Sequence, residues 1–167
     1  ENFAAFVGLD WSDRKHDLCL RAAGEKKKEF SILLHKPEAI EEWAQKLRKR
    51  FGGRPIAVSL EQSKGAVIAA LLKYDFFVLY PVNPSTLAKY REAFTPSRGK
   101  DDPKDAEFLM ELIETHRDRL RVWKPDDELT RKLQHLVEYR RTLVGERTRI
   151  SNRMTSYLKQ YFPQILD

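Results

Sequence analysis

Apolar and polar positions change period several times along the chain, and each change predicts an element. Phe3 to Asp10 (FAAFVGLD) is a short apolar run ending in an acid, the mark of a buried central strand. Lys15 to Ala22 (KHDLCLRA) alternates more openly and predicts a second strand. Ala23-Gly24-Glu25 supplies a turn, and Lys27 to Leu34 (KKEFSILL) a third strand, so the chain opens as an antiparallel meander. In Pro37 to Phe51 the residues Ile40, Trp43, Ala44 and Leu47 share one helical face. Pro37 suits its first turn, acids lie early and bases late, and Gly52-Gly53 stops it.

The pattern then repeats at shorter range. Pro55 to Leu60 is a buried strand followed by Glu61, Lys64 to Tyr74 reads as a helix, and Phe76 to Pro81 as a fifth strand. Pro84 to Phe94 predicts a helix, Thr95 to Lys100 breaks the pattern with Pro and Gly, and Asp102 to His116 is strongly amphipathic. A brief extended piece, Arg119 to Trp123, leads to Pro125. Asp126 to Tyr161 reads as one long helix. Its rough heptad stripe runs through Leu129, Leu133, Leu136, Val137, Leu143, Val144, Ile150, Met154 and Leu158, and calls for a partner helix. Three antiparallel strands followed by helix, strand, helix, strand is the order of an RNase H-like α/β fold, with a mixed five-stranded sheet and flanking helices, an order that other α/β folds share in part. The expected division is a domain at 1–120 and a coiled-coil-like helical extension at 121–167.

Charge adds a partner class. The net charge is +6 and the pI about 9.4, which favours a polyanion. Arg140, Arg141, Arg147, Arg149 and Arg153 stud the long helix, with Lys159 beyond them. Arg98, Lys100 and Lys104 flank the later acids, and Lys46, Arg48, Lys49, Arg50 and Arg54 cluster near residue 50. Such residues neutralise phosphates, or simply form a solvated face. A single cysteine, Cys19, excludes an internal disulfide or multi-cysteine zinc site and suits a buried small side chain. The four histidines form no H-x-x-x-H pair and read as ordinary surface or core residues. Trp11, Trp43, Tyr90 and Trp123 are stacking-capable, though Trp43 falls on a core-facing helical position. With no apolar run long enough for a membrane span and no leader ahead of the first strand, a cytoplasmic location is expected.

The chemistry lies in the acids. Asp10 and Glu61 each follow a buried strand, and Asp102 and Asp105, three apart, share one face of a helix start. An acid at the end of a core strand is unusual unless it is paired or binds metal. Four together call for a hard cation, magnesium or manganese, which at a two-metal site activates an attacking oxygen and stabilises a leaving one at phosphorus. Taken singly, each has a structural alternative. Asp102 and Asp105 suit a helix N-terminus, Asp10 a turn through Trp11-Ser12, and Glu61 a pair with Lys64. Asp101 and Asp13 are rival acids nearby.

Five stretches resemble a known family: Val7-Gly8-Leu9-Asp10 with Trp11-Ser12, Ser59-Leu60-Glu61 with Gly65, Tyr80-Pro81-Val82-Asn83-Pro84, Tyr90-Arg91 with Ala93, and Lys100-Asp101-Asp102-Pro103-Lys104-Asp105-Ala106. In that order they are similar to the amino-terminal DEDD domain of IS110-type insertion-sequence transposases. Asp101 stands where threonine is common in relatives. The resemblance implies a fold related to Holliday-junction resolvases of the RuvC type, with Asp10, Glu61, Asp102 and Asp105 as the catalytic, metal-binding acids. It also implies magnesium, DNA strand exchange, a structured guide (bridge) RNA, and a carboxy-terminal domain with a serine nucleophile that this stretch does not include. The helical extension would serve subunit contacts, as a dimer or tetramer, and RNA binding. The expected function is therefore that of a transposase or recombinase catalytic domain, acting on DNA at the nucleoid. A RuvC-like junction-resolving nuclease and a non-catalytic RNA-binding and oligomerisation module are the alternatives. An actin-like ATPase is disfavoured by the lack of glycine-rich phosphate loops.

Overall fold

In a computed structural model the chain is described over residues 2–61, 65–94, 102–125 and 127–166, with side chains excluded at 102, 103, 131 and 166. Two compact units result, Glu1–Trp123 and Lys124–Asp167. In the first, β1 (Ala5–Asp10), β2 (Lys15–Ala22) and β3 (Glu29–Leu34) form the antiparallel meander. Then come α1 (Pro37–Phe51), β4 (Ile56–Leu60), α2 (Ala66–Leu71), β5 (Phe77–Pro81), α3 (Pro84–Phe94) and α4 (Asp102–His116). The sheet order is β3-β2-β1-β4-β5, with β1 central, antiparallel to β2 and parallel to β4, which is parallel to β5. This is the mixed, RNase H-like α/β sheet that the element order predicts.

Period-two alternation assigns the two faces of the sheet. Val7, Leu9, Leu18, Leu20, Val58, Leu60 and Leu79 belong to the main core, with Ile40, Ala44 and Leu47 of α1 and Val67, Ile68 and Leu71 of α2. Full burial of a Leu or Val side chain contributes roughly 1.5–3 kcal/mol. α1 begins with Pro37 at its first turn and ends where Gly52 takes φ 63°, its N–H returned to the Arg48 carbonyl. Trp43 is half-buried and stacks on Phe77 with centroids 5.3 Å apart.

The other face carries α4. Cys19 is fully buried with Ala106 and Met110, and burial, with Glu107 second, pushes its thiol up to about 11. Ile113 packs with Phe3, Ala57 and Tyr80, while Leu109 and Leu112 pack with Val82 and Leu87 of α3. Lys28 bridges Glu107 and Glu111, and Arg21 pairs with Glu114, so charged side chains fasten α4 across β2 and the β2–β3 turn. The tightest contact is at Gly8. A Cβ built there would lie 1.9 Å from the Ala106 carbonyl oxygen and 2.5 Å from the Met110 nitrogen, both backbone atoms. Glycine is required here because two backbones touch.

Some boundaries move. The helix expected over Lys64 to Tyr74 forms as Ala66–Leu71, because Tyr74 and Phe77 turn the chain back into β5 through hydrogen bonds to Leu71 and Tyr74; Lys64 lies outside the described residues. Arg119 belongs to a 3-10 turn, Arg117–Arg119, and not to an extended piece. Past it, the Trp123 N–H donates to the Leu79 carbonyl at 2.7 Å.

The second unit holds α5 (Glu128–Tyr161), 34 residues and about 51 Å long. Its start falls later than Asp126, since Asp127 is the N-cap and accepts from the Thr130 N–H at 2.9 Å. Leu129, Leu133, Leu136, Val137, Leu143, Ile150 and Met154 are exposed on it. Among the described residues no helix is long and apolar enough to cross a membrane.

Gly8→Ala is expected to destabilise the first unit by about 3 kcal/mol or more, since neither contacting backbone atom can turn aside. Urea unfolding measures this, and a change within experimental error would mean that α4 is not docked on β1 as described.

Candidate active site

Asp10 and Glu61 reach the same edge of the sheet by different routes. Asp10 is the last residue of β1, and Glu61 follows the last residue of β4; their predecessors Leu9 and Leu60 are direct partners in the parallel ladder. Alternation puts Asp10 on the side of Phe6 and Gly8, which is the α4 face, and Glu61 follows Ala57 and Ser59 on that side. Both acids are half-buried. The β4–β5 ladder continues beside Glu61, where the Val82 N–H donates to the Leu60 carbonyl at 2.8 Å.

α4 runs antiparallel to β1 and β4. Its end contacts Phe3 through Ile113, and its beginning meets Gly8 through Ala106. Midway, the Ser59 hydroxyl donates to the Leu109 carbonyl at 2.6 Å, an internal anchor between β4 and the helix. The first turn of α4 therefore lies at the carboxyl edge where Asp10 and Glu61 sit, and its partial positive charge faces the acids. Asp105 is buried there, 3% exposed. Asp102 opens the helix, and its side chain lies outside the described residues.

Two further residues belong to this edge. Asp17 on β2 is the direct cross-strand partner of Asp10, so a further carboxylate stands beside the strand end. Arg91 of α3 pairs with Asp105, Nη2 to Oδ1 at 2.8 Å. Tyr90 sets the register of α3 on α4 by an edge contact with Phe108, ring centroids 5.8 Å apart. Asp17 was legible only through the hairpin register. Arg91 lies in the family-like stretch Tyr90-Arg91 with Ala93, with no sequence signal pairing it to an acid fourteen residues on.

The carboxylate donor set suits a hard cation. Among the described residues, however, no three of His, Cys, Asp or Glu stand close enough to hold a metal ion. The described acids converge on one edge without closing around a centre, and Arg91 supplies the positive charge at Asp105.

The basic residues divide. Lys104 is exposed beside the acids, and Arg140, Arg141, Arg147, Arg149 and Arg153 are all exposed on α5. Arg98 and Lys100 lie outside the described residues. In the cluster near residue 50, Arg50 grips both oxygens of Glu29 at 2.7 and 2.6 Å, and Lys46 pairs with Glu42.

On the opposite face, two histidines expected to be ordinary form a pair. His16 is fully buried, and its Nε2 lies 2.9 Å from Nδ1 of His35. The Ser12 N–H donates to His16 Nδ1 at 3.3 Å, so the neutral ring carries its proton on Nε2 and donates to His35. Trp11 stacks over the same ring. The pair thus fixes the turn that follows Asp10.

An acid-edged parallel pair at the centre of this mixed sheet, spanned by an antiparallel helix, places the first unit in the RNase H-like class. The chain matches the transposase family model DEDD_Tnp_IS110 over residues 7–163, and it belongs to that family. It is 29% identical over 165 residues to a candidate transposase, y4uE, of Sinorhizobium fredii, covering 97% of this chain and 46% of that protein. It is 28% identical to the mini-circle candidate transposase for IS117 of Streptomyces coelicolor, covering 99% and 40%. An uncharacterized 43.6 kDa protein of insertion element IS110, also from Streptomyces coelicolor, matches at 28% over the same shares, 99% and 40%. The chain thus spans less than half the length of these relatives.

Burial, followed by the charge of His35, lowers the His16 pKa from 6.5 to about 4. The unfolded chain therefore binds the proton first, and stability falls as pH drops from 6.5 toward 4, by about 3 kcal/mol at the lower end. Urea midpoints between pH 7 and 5 should fall for the natural chain and flatten in His16→Leu; equal slopes would show that the pair does not titrate this way.

Proposed function

We propose that the first unit is the catalytic domain of a DNA transposase, cutting and exchanging strands with the help of magnesium or manganese. The observation carrying this reading is the convergence of Asp10 and Glu61, one step past the Leu9–Leu60 pair, at the edge where α4 brings Asp105. Asp10, Glu61, Asp102 and Asp105 would hold the cation. When bound, it would supply activation of an attacking oxygen and stabilisation of a leaving one at phosphorus. The chain's own contribution is positional. The ladder fixes Asp10 beside Glu61, the Gly8 contact and the Ser59 anchor fix the helix, and α4 carries Asp105 to the strand ends.

The finer parts of the reading rest on α5. Its exposed arginines are suited to the phosphates of a structured guide RNA, and its exposed apolar stripe to a second copy of the same helix. DNA at the nucleoid would be the substrate.

In the intact transposase, Asp10→Asn and Glu61→Gln should each lower DNA strand cleavage about 100-fold or more with the fold retained by circular dichroism. Cleavage at the natural rate in both variants would remove the acids from the chemistry. Separately, light scattering should find the chain dimeric or larger. Leu136→Glu with Ile150→Glu should return it to a monomer; a chain monomeric from the start would refute pairing through α5.

A further inference from the structure

The carboxylates at the sheet edge create a problem that Arg91 addresses. Asp105 is almost wholly buried, and a buried charge is costly without a counter-charge. Arg91 provides one that no accessible pH removes, with Nη2 2.8 Å from Oδ1. Its own bonding is incomplete, however. The Arg91 Nε is buried and has no hydrogen-bond partner among the described residues. A guanidinium carries five donors in a planar fork, and a well-satisfied structural arginine uses the fork on both sides. Arg91 therefore neutralises Asp105 without being locked onto it. The exchange it permits is also the one a cation needs, because a divalent ion taking Oδ1 would otherwise meet a like charge within ion-pair distance.

We propose that Arg91 is a resident counter-ion that occupies Asp105 Oδ1 and competes with the divalent cation for it. This rests on the metal-dependent reading of the site. Arg91 is thus a positioning residue for Asp105, and it raises the cation concentration at which the site fills.

The two roles pull in opposite directions when Arg91 is removed, which separates this proposal from a purely structural one. A structural arginine, once lost, loosens the site and weakens metal binding along with the fold. A competing counter-ion, once lost, weakens the fold but strengthens metal binding. The experiment is a Mn2+ titration at pH 8, following the paramagnetic resonance signal of free ion, on the natural chain, Arg91→Met and Arg91→Lys, with thermal unfolding in the absence of metal. Arg91→Met should unfold about 5 °C or more below the natural chain and bind Mn2+ about tenfold more tightly. Arg91→Lys, which keeps the charge but shortens the reach, should fall between them and carries the test if the methionine variant does not fold. In an Asp105→Asn background the Arg91 substitutions should leave the Mn2+ affinity unchanged. Equal or weaker binding in the Arg91 variants, with the natural chain binding, overturns the competition and leaves the metal site standing. No Mn2+ binding in any of these proteins overturns both.

Discussion

At residue 8 of the central strand there is no side chain, and the backbone of a helix fills the space. A Cβ there would fall 1.9 Å from the Ala106 carbonyl oxygen, so α4 approaches the sheet more closely than ordinary side-chain packing allows. That approach sets the height of the helix over the sheet, and with it the depth of Asp105, one residue before Ala106. The Ser59 hydroxyl and the Lys28 and Arg21 ion pairs then fix the helix along and across the strands. Moving α4 outward by the thickness of one methyl group would change the relation of Asp105 to Asp10 and Glu61 together.

Electrostatics works against this geometry. Asp10 and Asp17 are cross-strand partners, Glu61 follows the neighbouring strand, and Asp105 is buried above. Like charges directly opposite on a sheet are unfavourable, and packing must hold them in place. The fold answers with what the chain itself can supply: the positive end of α4 and the guanidinium of Arg91. The opposite face shows the contrasting solution. There His16 and His35 share a hydrogen bond, and burial depresses the His16 pKa instead of recruiting a counter-charge.

Much of the fold was legible because each element carries its own period and stop signals. α1 runs from Pro37 to Phe51 as its proline, apolar face and glycine pair predict, and α3 and α4 share their predicted limits. Short-range signals erred where tertiary contacts decide. α2 is shorter because the chain must turn back toward β5, and Arg119 coils because Leu120 and Trp123 are drawn to the sheet. The strand-end acids could be read locally. Asp17, Arg91 and the histidine pair could not, since each depends on a register or a packing angle that no local spacing encodes.

Chain order gives the Gly8 contact a consequence in time. Asp10 is made early, Glu61 fifty-one positions later, and the residues that rest on Gly8 only after all five strands exist. Contacts that distant in sequence form slowly, because loop closure must precede the gain from packing. A nascent chain that has reached β5 thus has the residues of all five strands and two strand-end carboxylates, but neither the helix that covers them nor Asp105. The acidic edge is completed late in the building of the first unit, so a partly made chain carries its charges without their geometry.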